Sequence, residues 1–260
     1  LWALMAGNIV IGTGVMAVPG TLSDISASLQ VSVPQAGLLI TAGALLLGLG
    51  APLFAGLVAS WDRRRLLTAN LIWYAVFMLA CAAAPSYGWL LLLRVLAVVP
   101  PAIFTPQAAA CVGLLVPDAQ RGRAITFVFL GWSVASVAGM PLSAWIGGTW
   151  GWRWAFALVA LMSVACAAWV WRAMPEGVRP PALSGRDWAR TLQSPVIMLA
   201  VAVTAVSSFG QFTLFAYFAP YYREVMGASA SEVSLLFLWF GIFGLLGNVL
   251  ASRRIDRLGA

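Results

Sequence analysis

The sequence predicts an all-α membrane protein of about eight transmembrane helices. Stretches 1–23, 25–61, 66–93, 95–117, 124–152, 154–171, 191–222 and 233–252 carry no charged side chain. Each is near or above the roughly 20 apolar residues that a helix needs to cross about 30 Å of hydrocarbon. None alternates apolar and polar residues as the strands of a membrane barrel do. Inside lipid a backbone must satisfy its own hydrogen bonds, so spans of this length read as helices.

Taken in order, the first stretch is too long and lacks the basic leader of a signal peptide, so it reads as a span already under way. Span two ends at the arginine loop Arg63, Arg64 and Arg65. Span three follows, and Tyr87 and Trp89 mark the interface at which span four begins, with Arg94 inside it. Span five holds Gly131, Gly139, Pro141, Gly147 and Gly148; small residues let helices approach closely and proline bends them. Span six leads to segment 172–190, rich in proline and charge, which reads as a linker. Spans seven and eight complete the chain. Trp89, Trp145, Trp150, Trp152, Trp154 and Trp171 lie near span ends and are expected to anchor at the interface.

Charge fixes an orientation. All fifteen basic residues are arginines, and twelve lie in the connections after spans two, four, six and eight. Only Arg153 and Arg223 follow odd spans. The positive-inside bias therefore places the even loops in the cytoplasm of a protein integral to the inner membrane. The basic excess sits in short loops at one membrane face, which argues against nucleic-acid binding. With no histidine, and with Cys81, Cys111 and Cys166 isolated in apolar stretches, no metal site, cofactor or disulfide framework is expected. No phosphate-binding G-x-x-x-x-G-K-[ST] loop is present, and no nucleophile–base pair marks an enzyme.

A six-span unit at 1–171, a linker at 172–190 and further spans at 191–260 predict two halves. The segment around Ser60 and Asp62 aligns with that around Asp256 at an offset of 196 residues, each following a span and each basic. Repeats of the same orientation characterise transporters built from two six-helix halves. Twelve helices need about 390 residues at this spacing, so the expectation is a fragment lacking the start of helix one and the last four helices.

The motifs resemble those of the major facilitator superfamily, and within it the arabinose- and purine-efflux permeases of the drug:proton antiporters. Gly56, Ala59, Arg64 and Arg65 match the superfamily's G-x-L-A-D-R-x-G-R-[KR] loop, with Ser60 where the aspartate is expected. Asp256, Arg257 and Gly259 match in the second copy. Arg94 matches the arginine of the fourth helix, and Gly131, Gly139 and Pro141 resemble the fifth-helix antiporter motif, with Met140 replacing a glycine. Gly151, Trp152, Arg153 and Phe156 match the opening of helix six, and the run from Phe209 through Gln211 and Tyr217 to Pro220 resembles helix seven of the efflux members. The resemblance implies the two-half fold, a small-molecule substrate exchanged for protons, and a loop that clamps the halves, where either Asp62 stands in for the missing aspartate or the clamp is weaker.

Arg94 has two readings: an arginine snorkelling to the headgroups, or a fixed charge facing the cavity and biasing a protonation equilibrium or an anionic group. No Asp or Glu lies mid-span. Asp24 is the nearest protonation candidate, with a solvated loop carboxylate as the other reading. Arg63, Arg64 and Arg65 set topology whether or not they clamp. The span-five glycines serve close packing whether or not they mark an antiporter. Substrate-cavity candidates are Asn8, Thr13, Phe104, Gln107, Trp132, Ser133, Ser136, Gln211, Phe212, Phe215 and Trp239, where a buried amide needs a partner in a neighbouring helix or a ligand. As a set they suit a neutral or amphipathic molecule. The expected function is proton-coupled efflux of a small organic solute by a monomer working by alternating access, with uptake symport of the same fold as the alternative and a non-transporting receptor as a distant one.

Overall fold

The computed structural model describes residues 1–179 and 185–258. Eight helices long and apolar enough to span a membrane lie at Trp2–Gly20, Val33–Leu57, Arg63–Ala82, Tyr87–Leu115, Asp118–Trp150, Trp152–Ala173, Pro195–Val225 and Ala230–Gly247. Every described element is helical. The chain is a multi-pass membrane protein.

Turn chemistry, not charge, sets the boundary between spans one and two. The helix continues past Asp24 as a short segment at Leu22–Leu29, and the chain reverses at Gln30, whose φ of 51° lies in the left-handed region. Ser32 then opens span two with a capping box: its hydroxyl accepts from the Gln35 N–H at 3.3 Å, and its own N–H donates to Gln35 Oε1 at 3.0 Å.

Prolines interrupt the later spans. Span four is two helices, Tyr87–Ala97 and Val99–Leu115, meeting just before Pro100 and Pro101, which have no N–H to donate. Span five widens into a π-turn at Ala135–Gly139 immediately before Pro141. The proline ring crowds the carbonyl four residues back, and a wider turn relieves that clash. Span seven runs as a helix over Pro195–Phe215 and ends in a second π-turn at Tyr221–Val225, directly after Pro220.

Span one is the most buried span, and the main core gathers around it: Leu4, Ile11, Leu67, Leu71, Tyr74 and Phe156 are all fully buried. Between helices in lipid there is no hydrophobic driving force, so close packing must hold them. Glycines make it possible. The Phe104 ring fills the space beside Gly7, and Thr13 fills that beside Gly139. At Gly131 a Cβ would stand 2.5 Å from the Met5 carbonyl oxygen. A second apolar cluster joins Met16, Met140 and Ala144 of spans one and five to Phe215, Ala219, Val233 and Phe237 of spans seven and eight. Span seven otherwise buries almost nothing against the described chain.

Of the end tryptophans, Trp89, Trp145, Trp150, Trp154 and Trp171 are exposed as interfacial anchors would be. Trp152 differs: it is buried, edge-on to Phe156 with ring centroids 5.6 Å apart.

Gly131→Ala is therefore expected to lower stability in detergent by about 1–3 kcal/mol through overpacking, measured by thermal unfolding. Gly56→Ala, where a Cβ meets nothing within 4 Å, is expected to leave it unchanged.

Candidate substrate path and its flanking charges

A hydrogen-bonded chain crosses the interior between spans one, four and five. Asn8 Nδ2 donates to the Val128 carbonyl at 3.0 Å, Thr105 donates to Asn8 Oδ1 at 2.8 Å, and Trp132 Nε1 donates to Thr105 at 3.3 Å. Asn8 is fully buried, and helix neighbours satisfy its amide. Trp132 stays half-buried and packs against both apolar clusters. Phe104, next to this network, is wholly enclosed against Gly7, and Gln107 and Thr13 are buried. Ser133 and Ser136 are half-buried on span five.

Candidates on spans seven and eight form a separate group. Phe215 is buried among aromatic rings, with Phe240 at 5.1 Å and Phe212 at 6.0 Å between centroids. Trp239 is exposed and stacks on Phe243, and it borders an open cavity of about 450 Å³ shared with Tyr222 and Leu235. Gln211 is exposed on span seven. The Asn8–Trp132 group and the Phe215 group meet through the second cluster, where Trp132 is the shared member.

Spans five and eight pack along the π-turn. The Ser234 hydroxyl donates to the Pro141 carbonyl at 2.9 Å, and a Cβ on Gly241 would lie 2.6 Å from Val137 Cα and 2.9 Å from the Ser136 oxygen.

Arg94 does not snorkel. Its side chain is 3% exposed and turns toward span three, with Nη1 at 4.0 Å from Met78 Sδ, and Tyr74 faces it. Tyr74 in turn donates to the Ile11 carbonyl at 3.3 Å. Among the described residues the buried Arg94 Nε has no hydrogen-bond partner, and none of the ion pairs involves this arginine.

At the arginine-rich face the loop is tied to the segment after span six. Arg63 is buried and donates to the carbonyls of Val58, Trp61 and Ala59 at 2.8, 2.9 and 3.2 Å, which satisfies carbonyls left free where span two ends. Arg64 pairs with Glu176 at 2.7 Å and stacks 4.3 Å over the Trp171 ring. Asp62 caps span three by accepting from the Arg65 N–H at 3.1 Å, and it also accepts from the Gly177 N–H at 2.7 Å. Burial opposes the Asp62 charge, but those two N–H groups and the charges of Arg65 and Arg179 prevail and hold its carboxyl below the ordinary value. Gly56 and Arg65 are exposed. Asp256 and Arg257 lie in the last turns of the final helix, and Gly259 lies outside the described residues.

The model of the Major Facilitator Superfamily matches residues 4–260. The chain belongs to the major facilitator superfamily. It is 28% identical over 257 residues to the inner membrane transport protein YdhP of Escherichia coli (strain K12), covering 99% of this chain and 66% of that protein. It is 31% identical over 261 residues to a chloramphenicol resistance protein of Streptomyces lividans, covering 99% and 67%. The fold is similar to the crystal structure of a bacterial homolog of the human lysosomal transporter Spinster, with a TM-score of 0.76 at 21% identity over 98% of this chain and 63% of that one. The chain spans about two thirds of the length of the curated relatives it matches.

In this superfamily member several contributing residues escape a reading of the sequence. Thr105 is a lone hydroxyl in span four, and its role as the bridge between Asn8 and Trp132 depends on three helices meeting. Glu176 is an acid inside a basic linker, a pattern that could have marked it as a partner for Arg64. Ser234 and Gly241 sit on one side of span eight, the small-residue spacing of a close helix contact. Asp24 is neither solvated nor free: it is ion-paired with Arg223, and its side chain is 18% exposed.

Asp62→Ala should cost about 1 kcal/mol at neutral pH through loss of the cap. Because the native carboxyl titrates below its ordinary value, the wild type keeps this contribution above the unfolded-state pKa and loses it as pH falls through the depressed one. Thermal unfolding of both proteins from pH 7 downward should show the gap closing only in that acidic range.

Proposed function

We propose that this chain is part of a secondary active transporter of the inner membrane that exports a small organic solute in exchange for protons. In this reading residues 1–171 form one six-helix half, 172–190 the linker and 191–260 the start of the other half, and the protein works as a monomer by alternating access. The observation that carries it is the junction of spans five and eight at the π-turn. Among the described residues, spans five and eight meet there through glycines, apolar side chains and one side-chain hydrogen bond, Ser234 to Pro141. A surface of that kind can separate without stranding many polar groups in lipid.

The substrate lies between the Asn8–Trp132 group and the Phe215 group, with Gln211 and Trp239 as further contacts. Trp132 offers a flat face at the junction, positioned by Thr105. Phe215 offers the apolar wall opposite, and such a lining favours a neutral or amphipathic aromatic compound. The chloramphenicol resistance protein among its relatives supports a substrate of that class, and the chloramphenicol efflux pumps among them support export. Arg94 supplies a permanent positive charge in the first half, which biases the protonation step and is not lost on desolvation as a lysine's can be. The Arg63–Arg65 loop holds the arginine-rich face of the first half in place through Glu176 and Gly177, and that face is cytoplasmic.

Two measurements test this. In the full-length protein, Arg94→Lys should insert normally and still bind substrate, yet lose more than about tenfold of pH-gradient-driven flux, the effect of ~1.4 kcal/mol. Normal flux would remove Arg94 from coupling. Cysteines at exposed positions 150 and 226 should react with an impermeant reagent from outside intact cells, and one at position 65 should not; the reverse pattern overturns the orientation.

A further inference from the structure

The ion pair between Asp24 and Arg223 joins residues 199 positions apart, one following span one and the other ending span seven. Arg223 Nη1 lies 2.5 Å from Asp24 Oδ1, and the two side chains are only 17% and 18% exposed. Asp24 Oδ2 and Arg223 Nε and Nη2 are buried with no hydrogen-bond partner among the described residues. Each charge is therefore compensated almost wholly by the other.

The neighbouring elements are shaped around this pair. A Cβ on Gly148 would stand 2.5 Å from Arg223 Nη2, and one on Gly147 would stand 3.2 Å from Asp24 Oδ2. Two adjacent glycines at the end of span five thus make the notch in which the pair sits. A Cβ on Gly37 would stand 2.5 Å from the Tyr217 hydroxyl, so a third glycine receives span seven near the start of span two. Deeper along the same spans lies the apolar cluster of Met16, Met140, Ala144, Phe215, Val233 and Phe237, all buried. An ion pair in a glycine notch above an apolar plug is the architecture of a gate.

We propose that Asp24 and Arg223 form the latch that closes the face of the protein opposite the arginine-rich loops, with the Val233 and Phe237 cluster as the seal behind it. This rests on the alternating-access reading above. When the face opens, both charges reach water and the pair is no longer needed. In the closed state, neutralising one partner leaves the other charge buried and uncompensated. Either single neutralisation therefore shifts the equilibrium toward the open state, whatever the net contribution of the intact pair.

The test uses a buried reporter in the seal. Val233→Cys is fully enclosed when the face is closed, and the native Cys81, Cys111 and Cys166 are buried, so the protein without the reporter gives the background. The full-length protein in lipid nanodiscs exposes both faces to a maleimide, so the assay does not depend on orientation. Asp24→Asn and Arg223→Gln should each raise the labelling rate at position 233 by about tenfold, a shift of ~1.4 kcal/mol in the opening equilibrium. The exchanged pair, Asp24→Arg with Arg223→Asp, should bring the rate back toward that of the wild type. A cleavable bifunctional thiol cross-linker joining Asp24→Cys to Arg223→Cys should hold the rate at its floor until cleaved. Unchanged labelling in both single variants, or full labelling in the cross-linked protein, overturns the latch. Substrate flux is measured separately: gated labelling without flux would retain the latch and remove the transport reading, and flux with ungated labelling would do the reverse.

Discussion

The contact between spans one and five is the constraint on which the rest depends. Two helices in lipid gain nothing by hiding apolar surface from water, so they hold together only if their backbones come close enough for dense packing. Gly131 against Met5, Gly139 against Thr13 and Gly147 against Thr21 set that distance along nearly the whole length of span one. Once the two helices are that close, Asn8 can reach the Val128 carbonyl and Thr105 can reach Asn8. Span five also carries the π-turn on which span eight packs. A larger residue at any of these glycines would move the π-turn, and with it the seam between the two groups of candidate substrate contacts.

Within this scaffold the arginines serve unlike ends, and burial decides which. Arg63 is consumed by three backbone carbonyls at the end of span two. Arg64 remains partly solvated and is shared between a carboxylate and an indole ring. Arg223 is matched to one carboxylate, and Arg94 to none among the described residues. A guanidinium that is always charged and has no counter-ion is costly in a helix bundle. Of these arginines, Arg94 is the one whose surroundings do not account for its charge, which is why it is assigned to coupling rather than to architecture.

The helix breaks point to the same region. Pro100 and Pro101, Pro141 and Pro220 each interrupt a span, and the last two are accompanied by π-turns. These irregular turns lie near the junction of the two groups. The π-turn after Pro220 immediately carries Arg223, and the one before Pro141 lies against Gly241. Irregular backbone of this kind is tolerated in a membrane where protein covers it, and at the π-turn before Pro141 span eight supplies the cover.

Length, apolar composition and the spacing of charges were enough to determine that the chain is all-helical and spans the membrane several times, and its motifs marked the resemblance to a transporter family. A 20-residue uncharged stretch has few other ways to satisfy its backbone in lipid. The place of Arg94 inside span four could also be read directly, since it follows from position along a single helix. What one helix does to another was not legible. Charge put the end of span one at Asp24, whereas the turn chemistry of Gln30 and Ser32 put it several residues later. The fate of Asp24 depended on Arg223, that of Asn8 on Val128 and Thr105, and that of Phe104 on the absence of a side chain at Gly7. Partners separated by up to 199 residues leave no periodic trace in the chain, because only the packing of whole helices brings them within reach.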